Sequence, residues 1–564
     1  MPLVRHRKCL VAVALFYLQT VHAQTTPDAG SLLQQIEKGR PPPPPRTSAP
    51  AVGVPPPMRA LSGSAVTVTA FRFVGNTLLS NDQLGAALAG LRGRPLDFTQ
   101  LQQAPAAVAA LYRQSGWIVR AYLPHQEIVD GVVTIQIVEA IFGEVRLDGG
   151  AAAARIAPQR LVAMVDAAQS KGALLNADAL DRALLLLGDL PGVTVTGSLS
   201  AGRNERETDL LLKVEDAPLL SGVVSVDNAG SRSTGRARAS GDIYLNSPFR
   251  LGDQIGLSLQ HSEGIDYARL DASMPVGSSG ARAGAHVSAL RYKLVSDDTA
   301  ALDARGKSST SGLDGSYPLI RSRLKNLSLA VNYDHRRFDN DALGATVSDY
   351  RIDTLSASLY GNVLDQLGGG GNNTGSLSLV RGEVDLDDSP TRAADAATVK
   401  SAGRFTKLRY AAARTQVLSD ALLLYMTVAG QAARKNLDSA EKFYLGGPSG
   451  VRAYPINEGG GASGQLASIE LRAQLPHSLS LAGFYDWGHV RINHDNRFAG
   501  AETRNAYSLR GAGIALSWLA PKGVSLKSTW ARRIGANPNP SASGSDQDGS
   551  LTRNRFWLQA SLPF

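Results

Sequence analysis

The sequence predicts a mainly β protein: a 16-stranded transmembrane β-barrel behind an N-terminal helix and two small α/β modules of β-α-α-β-β order. Three observations predict it. From about residue 218 the apolar residues recur with a period of two, up to the end of the chain. The connections between these segments alternate between short and long, as the turns and loops of an outer-membrane barrel do. Ahead of them, one order of strands and helices is used twice.

The elements follow in chain order. Residues 1–23 read as a secretory signal: Arg5, Arg7 and Lys8 are basic, Cys9 to Leu18 are largely apolar, and Val21-His22-Ala23 is a small-residue cleavage pattern. The run is well short of the ~20 residues that a membrane helix needs. Cys9 is the only cysteine, so the exported part, 24 onward, has no disulfide. Residues 24–39 hold an amphipathic helix with Leu32, Leu33 and Ile36 on one face and Gly39 to end it. Residues 40–64 form a proline-rich linker, with Pro41 to Pro45 and Pro55 to Pro57.

The first module, 65–140, has a strand at 66–73, helices near 80–91 and 99–115, and strands at 117–123 and 132–138. The second, 141–216, repeats the order with a strand at 141–147, helices near 158–169 and 177–189, and strands at 193–199 and 208–215. Asn176 caps its second helix and Pro191-Gly192 stop it.

The barrel, 217–564, shows sixteen alternating segments, among them Leu327, Leu329, Val331 and Tyr333 against Ser328, Ala330 and Asn332. Long connections are expected at 295–305, 339–347, 387–400, 435–463, 491–505 and 535–551. Closure is physically required, because an open sheet edge in lipid leaves backbone groups unpaired at several kcal/mol each.

Composition narrows the function. Net charge is +9, and removal of the three signal cations leaves 55 Lys+Arg against 49 Asp+Glu. That modest excess, without a long basic run, argues against a nucleic-acid partner. No catalytic, metal or cofactor constellation is visible. Arg305-Gly306-Lys307-Ser308 ends like a phosphate loop, but position 301 is Ala and the segment is expected in a hairpin loop.

The informative residues lie in the widest gap between strands, where Gly446 to Pro455 read GGPSGVRAYP. Arg452 sits there among apolar and aromatic neighbours. In a later strand Phe484, Asp486 and Gly488 share one face, and the lipid side rejects charge, so Asp486 faces the lumen. A guanidinium reaching it would hold the long loop inward. From spacing alone, a solvated Arg452 and an ordinary lumen Asp486 remain the alternative.

These residues resemble the two-partner secretion transporters of the outer membrane protein 85 superfamily (TpsB proteins, ShlB/FhaC/HecB type). Gly446, Gly447, Val451, Arg452 and Tyr454 match the family's loop-six motif, with Ala453 where glycine is usual and Gly450 where serine is common. Phe484, Asp486 and Gly488 match its barrel-wall motif. Val226-Asp227-Asn228 with Gly230 to Gly235 resembles the opening of the family's barrel. The resemblance implies that the two modules are POTRA domains in the periplasm of a Gram-negative bacterium. It implies a transporter that takes an unfolded, β-rich exoprotein of haemolysin or adhesin type to the cell surface, and that also activates it in some members. It further implies a plug role for the helix bearing Leu32, Leu33 and Ile36, and a terminal Phe564 read by the barrel-assembly machinery. The expected partners are the exoprotein, the assembly machinery and outer-membrane lipid, with no cofactor and no enzyme activity. The alternatives are a barrel-assembly factor of BamA or TamA type, and a passive porin.

Overall fold

The computed structural model describes residues 27–39, 66–148, 155–501, 503–541 and 543–564. The signal and linker assignments lie outside these residues. Among the described residues no helix is long and apolar enough to cross a membrane.

Helix α1 (Ala29–Gly39) begins at Asp28, whose Oδ1 accepts from the Ser31 backbone N–H at 2.8 Å, as an N-cap does. The first module has strands β1 (Val66–Thr67), β2 (Ala70–Val74), β3 (Pro95–Leu96), β4 (Val119–Tyr122) and β5 (Val132–Glu139). Its helices are α2 (Asn81–Ala87), α3 (Phe98–Leu101) and α4 (Gln103–Gln114). Its main sheet runs β2-β5-β4, with β2 parallel to β5. Leu84, Val108, Tyr112 and Ile135 form the core between helices and sheet. Ser80 closes a capping box with Gln83 at the start of α2.

The second module has strands β6 (Ile141–Leu147), β7 (Val193–Ala201) and β8 (Glu207–Asp216), with helices α5 (Pro158–Ala168) and α6 (Ala177–Gly188). Its sheet runs β6-β8-β7. Asn176 accepts from the Ala179 N–H at 2.9 Å, the cap that its position predicts.

The barrel strands are β9 (Leu220–Asp227), β10 (Arg238–Asn246), β11 (Gln254–Ser262), β12 (Ile265–Val276), β13 (Ala281–Lys293) and β14 (Arg305–Arg321). They continue with β15 (Lys325–Ala342), β16 (Ala345–Asp365), β17 (Gly371–Asp385), β18 (Gly403–Ser419) and β19 (Leu422–Ala433). The last are β20 (Ser463–Leu475), β21 (Leu479–Arg491), β22 (Ala506–Leu519), β23 (Ser525–Arg533) and β24 (Asn554–Pro563). All sixteen pair antiparallel with their neighbours, and β24 closes on β9. Side chains alternate between lumen and outside, as Leu290 and Tyr292 (inward) do with Ala289 and Arg291 (outward).

One expected long connection is absent. Residues 339–347 are not a loop: β15 runs to Ala342, β16 starts at Ala345, and Leu343-Gly344 turn between them with φ of 53° and 75°. Both central residues take the left-handed conformation that suits a two-residue hairpin turn. The polar residues before the turn belong to strands that run on past the membrane. Arg305 to Ser308 likewise lie on strand β14 rather than in a loop.

The second module sits at the short-turn end. Arg321 donates to both carboxylate oxygens of Asp189 at 2.8 Å, and Arg323 to both of Asp181 at 2.8 and 3.0 Å. Arg182 adds a bond to the Pro318 carbonyl at 2.8 Å. Bidentate pairs fix orientation as well as distance, so the module is held in one pose under the barrel mouth.

Candidate functional site

The site is the connection between β19 and β20, residues 434–462, with helix α1 beside it. The connection folds into the lumen. Its tip doubles back on itself: the Val451 N–H donates to the Leu445 carbonyl at 2.7 Å, and the Gly447 N–H to the Tyr454 carbonyl at 3.1 Å. Gly446 and Val451 form a bridge. A Cβ on Gly450 would lie 2.0 Å from the Leu445 carbonyl oxygen, so this chain has no room for a serine there.

Arg452 is buried and meets a completely buried Asp486. Its Nε reaches Asp486 Oδ2 at 2.9 Å, its Nη2 reaches Oδ1 at 2.6 Å, and its backbone N–H adds a bond to Oδ2 at 3.0 Å. Both terminal nitrogens make a further bond: Nη1 reaches Glu470 at 2.7 Å and Nη2 reaches Ser468 at 3.0 Å. The guanidinium lies 3.4 Å over the Phe484 ring, a cation–π contact. Trp557 on β24 donates to the Arg452 carbonyl at 2.8 Å.

Strand register explains the assembly. Ser468 and Glu470 stand opposite Asp486 and Phe484, so all four face the lumen at one level. Gly488, next on that face, leaves room for the loop: a Cβ there would come within 2.9 Å of Leu445 and 3.1 Å of Val451. Tyr454 is buried beneath the Arg533 guanidinium. The sequence motif thus marks Arg452, Phe484, Asp486 and Gly488 as one cluster. Ser468, Glu470 and Trp557 were not anticipated, although Ser468 and Glu470 carry the right parity in an alternating strand.

Ala453 fits without strain. It is not among the residues of positive φ, and its Cβ is buried against Gly511 of β22. The space at Gly511 accommodates the methyl that glycine would lack.

Helix α1 lies in the lumen. Leu32, Leu33 and Ile36 are buried among Tyr292, Phe338, Tyr350 and Ile352, all on the inner wall. The Ala29 N–H donates to Asn340 at 2.9 Å. Along its other side, Ser439 donates to Asp28 at 2.6 Å, Lys38 to the Tyr444 carbonyl at 3.2 Å, and Asn457 to Gln35 at 3.4 Å. Under the helix, Glu441 is buried between Arg336 of β15 and Lys407 of β18; Lys407 is 2.6 Å from its carboxylate. A cavity of about 580 Å³ remains beside the helix, between the loop and the β9–β24 side.

Phe564 pairs with Gly222 across the closing seam, at 2.9 and 3.0 Å, and is half exposed.

A closed sixteen-stranded barrel with two such modules at its short-turn end defines an outer-membrane transporter whose N-terminal domains lie in the periplasm. A model of the POTRA domain, ShlB-type, matches residues 66–140. The model of the haemolysin secretion/activation protein ShlB/FhaC/HecB matches residues 206–517, and the chain belongs to that family. Its members export partner exoproteins by two-partner secretion, and so does this chain. The heme/hemopexin transporter protein HuxB of Haemophilus influenzae is 28% identical over 86% of this chain and 84% of its own length. The outer membrane transporter CdiB of Dickeya dadantii is 26% identical over 84% of this chain and 82% of its own. Among solved structures, CdiB from Escherichia coli matches with a TM-score of 0.67 at 20% identity, covering 96% of this chain and 100% of that one. BamA from Haemophilus ducreyi lacking POTRA domains 1–3 shares the fold at a TM-score of 0.56 and 15% identity, covering 88% of this chain and 100% of that one. The family assignment favours export over barrel assembly.

Proposed function

We propose that α1 is the resting plug of the export channel, and that Arg452 braces the inward connection in the transport-competent barrel. The observation that carries this reading is that one connection, 434–462, both holds α1 and anchors Arg452 to Asp486. The cargo is an unfolded, β-rich exoprotein of haemolysin or adhesin type. Its secretion domain docks on the periplasmic modules, where edge strands such as β2, β4 and β7 offer free backbone groups for strand addition. The plug then leaves, the cargo threads the lumen, and folding at the surface draws it outward. Phe564 is the signal read by the barrel-assembly machinery when the chain itself is inserted.

Two measurements test this. Deletion of 27–39 raises single-channel conductance in planar bilayers; an unchanged conductance sinks the plug. Arg452→Ala abolishes secretion of the partner from cells that still insert the barrel; secretion at the wild-type rate rules out the brace.

A further inference from the structure

The collar of the barrel beyond its apolar band holds an arrangement that strand pairing normally avoids. On the outer face of β13 and β14, Arg291 stands directly opposite Lys307, and Lys293 opposite Arg305. Their faces are fixed by their neighbours: Leu290 and Tyr292 are buried inward, against the cluster around α1. Like charges directly opposite on one face of a sheet repel and destabilise it. Two such pairs sit side by side.

Neighbouring acids offset part of this charge, through long ion pairs rather than hydrogen bonds. The nearest carboxylates are Asp339, 3.6 Å from Lys307, and Asp303, 3.8 Å from Arg305. Asp266 faces Arg291 in register but bonds His261 at 2.7 Å, and Asp341 faces Arg305. Among the described residues, no hydrogen bond reaches the side chain of any of the four cations. Elsewhere on the collar the outward arginines are satisfied: Arg337 meets Asp349 at 2.9 Å and Arg351 meets Asp385 at 2.7 Å.

The height of the block names its surroundings. Outward residues of β14 at the module end are Tyr317 and Leu319, and Leu313 lies midway. From Tyr317 to Lys307 the ladder is unbroken. Ten residues at about 3.3 Å each give about 33 Å along the strand. A strand tilt of about 40° turns that into about 25 Å of height. Outward Ser311 and Ser309 lie within it, so the apolar residues end near Leu313 and the four cations stand above them on the headgroup side. The modules mark the periplasmic end, so the four cations stand at headgroup level in the outward leaflet.

We propose that Arg291, Lys293, Arg305 and Lys307 form a binding site for the phosphate groups of an anionic glycolipid of that leaflet. The proposal rests on the outer-membrane location of the chain. A phosphate offers several acceptor oxygens at once, and arginine and lysine both bind it well. Placed over the block, it turns two repulsive pairs into a bridged set of four donors. It thereby tethers β13 and β14 to the lipid, on the wall whose inner face packs against α1.

The test uses the purified full chain in detergent, with diphosphorylated lipid A as the probe and bound lipid read by mass spectrometry. The variant carries Arg291→Gln, Lys293→Gln, Arg305→Gln and Lys307→Gln together. Its affinity is expected to fall about a hundredfold, while Arg337→Gln, which alters a paired collar arginine, leaves binding as it was. Heat-modifiable migration in gels checks that the barrel is folded. If the fourfold variant does not fold, Arg291→Gln with Lys307→Gln removes one repulsive pair, with an expected loss of about tenfold. Unchanged affinity in a folded variant overturns the proposal. So does displacement of the lipid by millimolar inorganic phosphate, which would mark a small-anion site instead.

Discussion

The two halves of the 434–462 connection meet the barrel through opposite charges. In the tip, a cation of the loop, Arg452, enters an acidic notch formed by Asp486 and Glu470. In the stretch before it, an anion of the loop, Glu441, enters a basic notch formed by Arg336 and Lys407. Every guanidinium nitrogen of Arg452 is bonded to the barrel wall. The earlier half also carries α1, through hydrogen bonds of Ser439 to Asp28 and of Lys38 to the Tyr444 carbonyl, and Asn457 on the tip side adds one to Gln35. The neutral bond at Gln35 contributes about 0.5–1.5 kcal/mol net, and the two that involve a charged group about 1.5–3 kcal/mol each. Under the proposed plug role, α1 leaves by giving up these bonds and its apolar contacts while the connection stays folded. The difference teaches where strength and release are divided under that role: buried ion pairs fix the platform, and the scattered hydrogen bonds above it are the contacts that would open.

The strongest way to break this contrast is to unpair the tip. Asp486→Ala leaves a buried guanidinium with Glu470 as its one carboxylate partner, at an expected cost of about 3–5 kcal/mol. The measurement is the urea midpoint of the purified barrel in detergent, alongside secretion of the partner. A midpoint equal to wild type would mean that Glu470 suffices and that Asp486 is dispensable.

A smaller effect is expected on the other side. Glu441→Gln keeps the shape but removes the charge between Arg336 and Lys407, at about 2–3 kcal/mol. Because Ser439 to Glu441 lie under α1, the platform should loosen and raise conductance, while the tip stays anchored. Conductance unchanged in Glu441→Gln would separate the plug from this notch.

Much of this arrangement was legible in the sequence because it is written in a period of two. A strand with Phe484, Asp486 and Gly488 on one face points its carboxylate inward. Spacing alone leaves Arg452 open between a solvated loop residue and the partner of Asp486, and the resemblance to the loop-six motif points to the partner. Ser468 and Glu470 have the same parity, but only the pairing register brings them opposite Asp486 and Phe484. Glu441 had no signal, since a loop carries no period and its partners lie on β15 and β18, far away in sequence. The stretch 339–347 was misread for a physical reason: above the membrane, strands turn polar on both faces and look like loop. Helix α1 was visible as an apolar stripe of Leu32, Leu33 and Ile36. That the stripe faces a lumen wall of Tyr292, Phe338 and Tyr350 was not, because aromatic residues in a barrel strand carry no label for inside or outside.

The last and mildest test concerns how the tip meets the final long connection, 535–551. Glu458 is completely buried there; its carboxylate accepts from Asn537 at 2.8 Å and from the Gln547 N–H at 2.8 Å. Burial pushes its pKa up to about 7, the two hydrogen bonds oppose this, and Asp546 and Asp548 nearby add to the rise. Arg533 and Arg555 engage those two aspartates rather than Glu458. The sign follows from the raised value. An acid whose pKa is higher when packed than when released contributes stability that is complete below the ordinary value of 4.5 and is lost as pH rises through about 7. Between about pH 6 and about pH 8 the packing of the two connections should weaken by about 1 kcal/mol. Proteolysis of intact cells from outside should therefore nick 535–551 faster at the higher pH. Glu458→Gln, neutral throughout, should flatten that dependence while leaving the Arg452 anchor in place. An equally steep pH dependence in Glu458→Gln would assign the titration to another group and leave the contact between the two connections independent of Glu458.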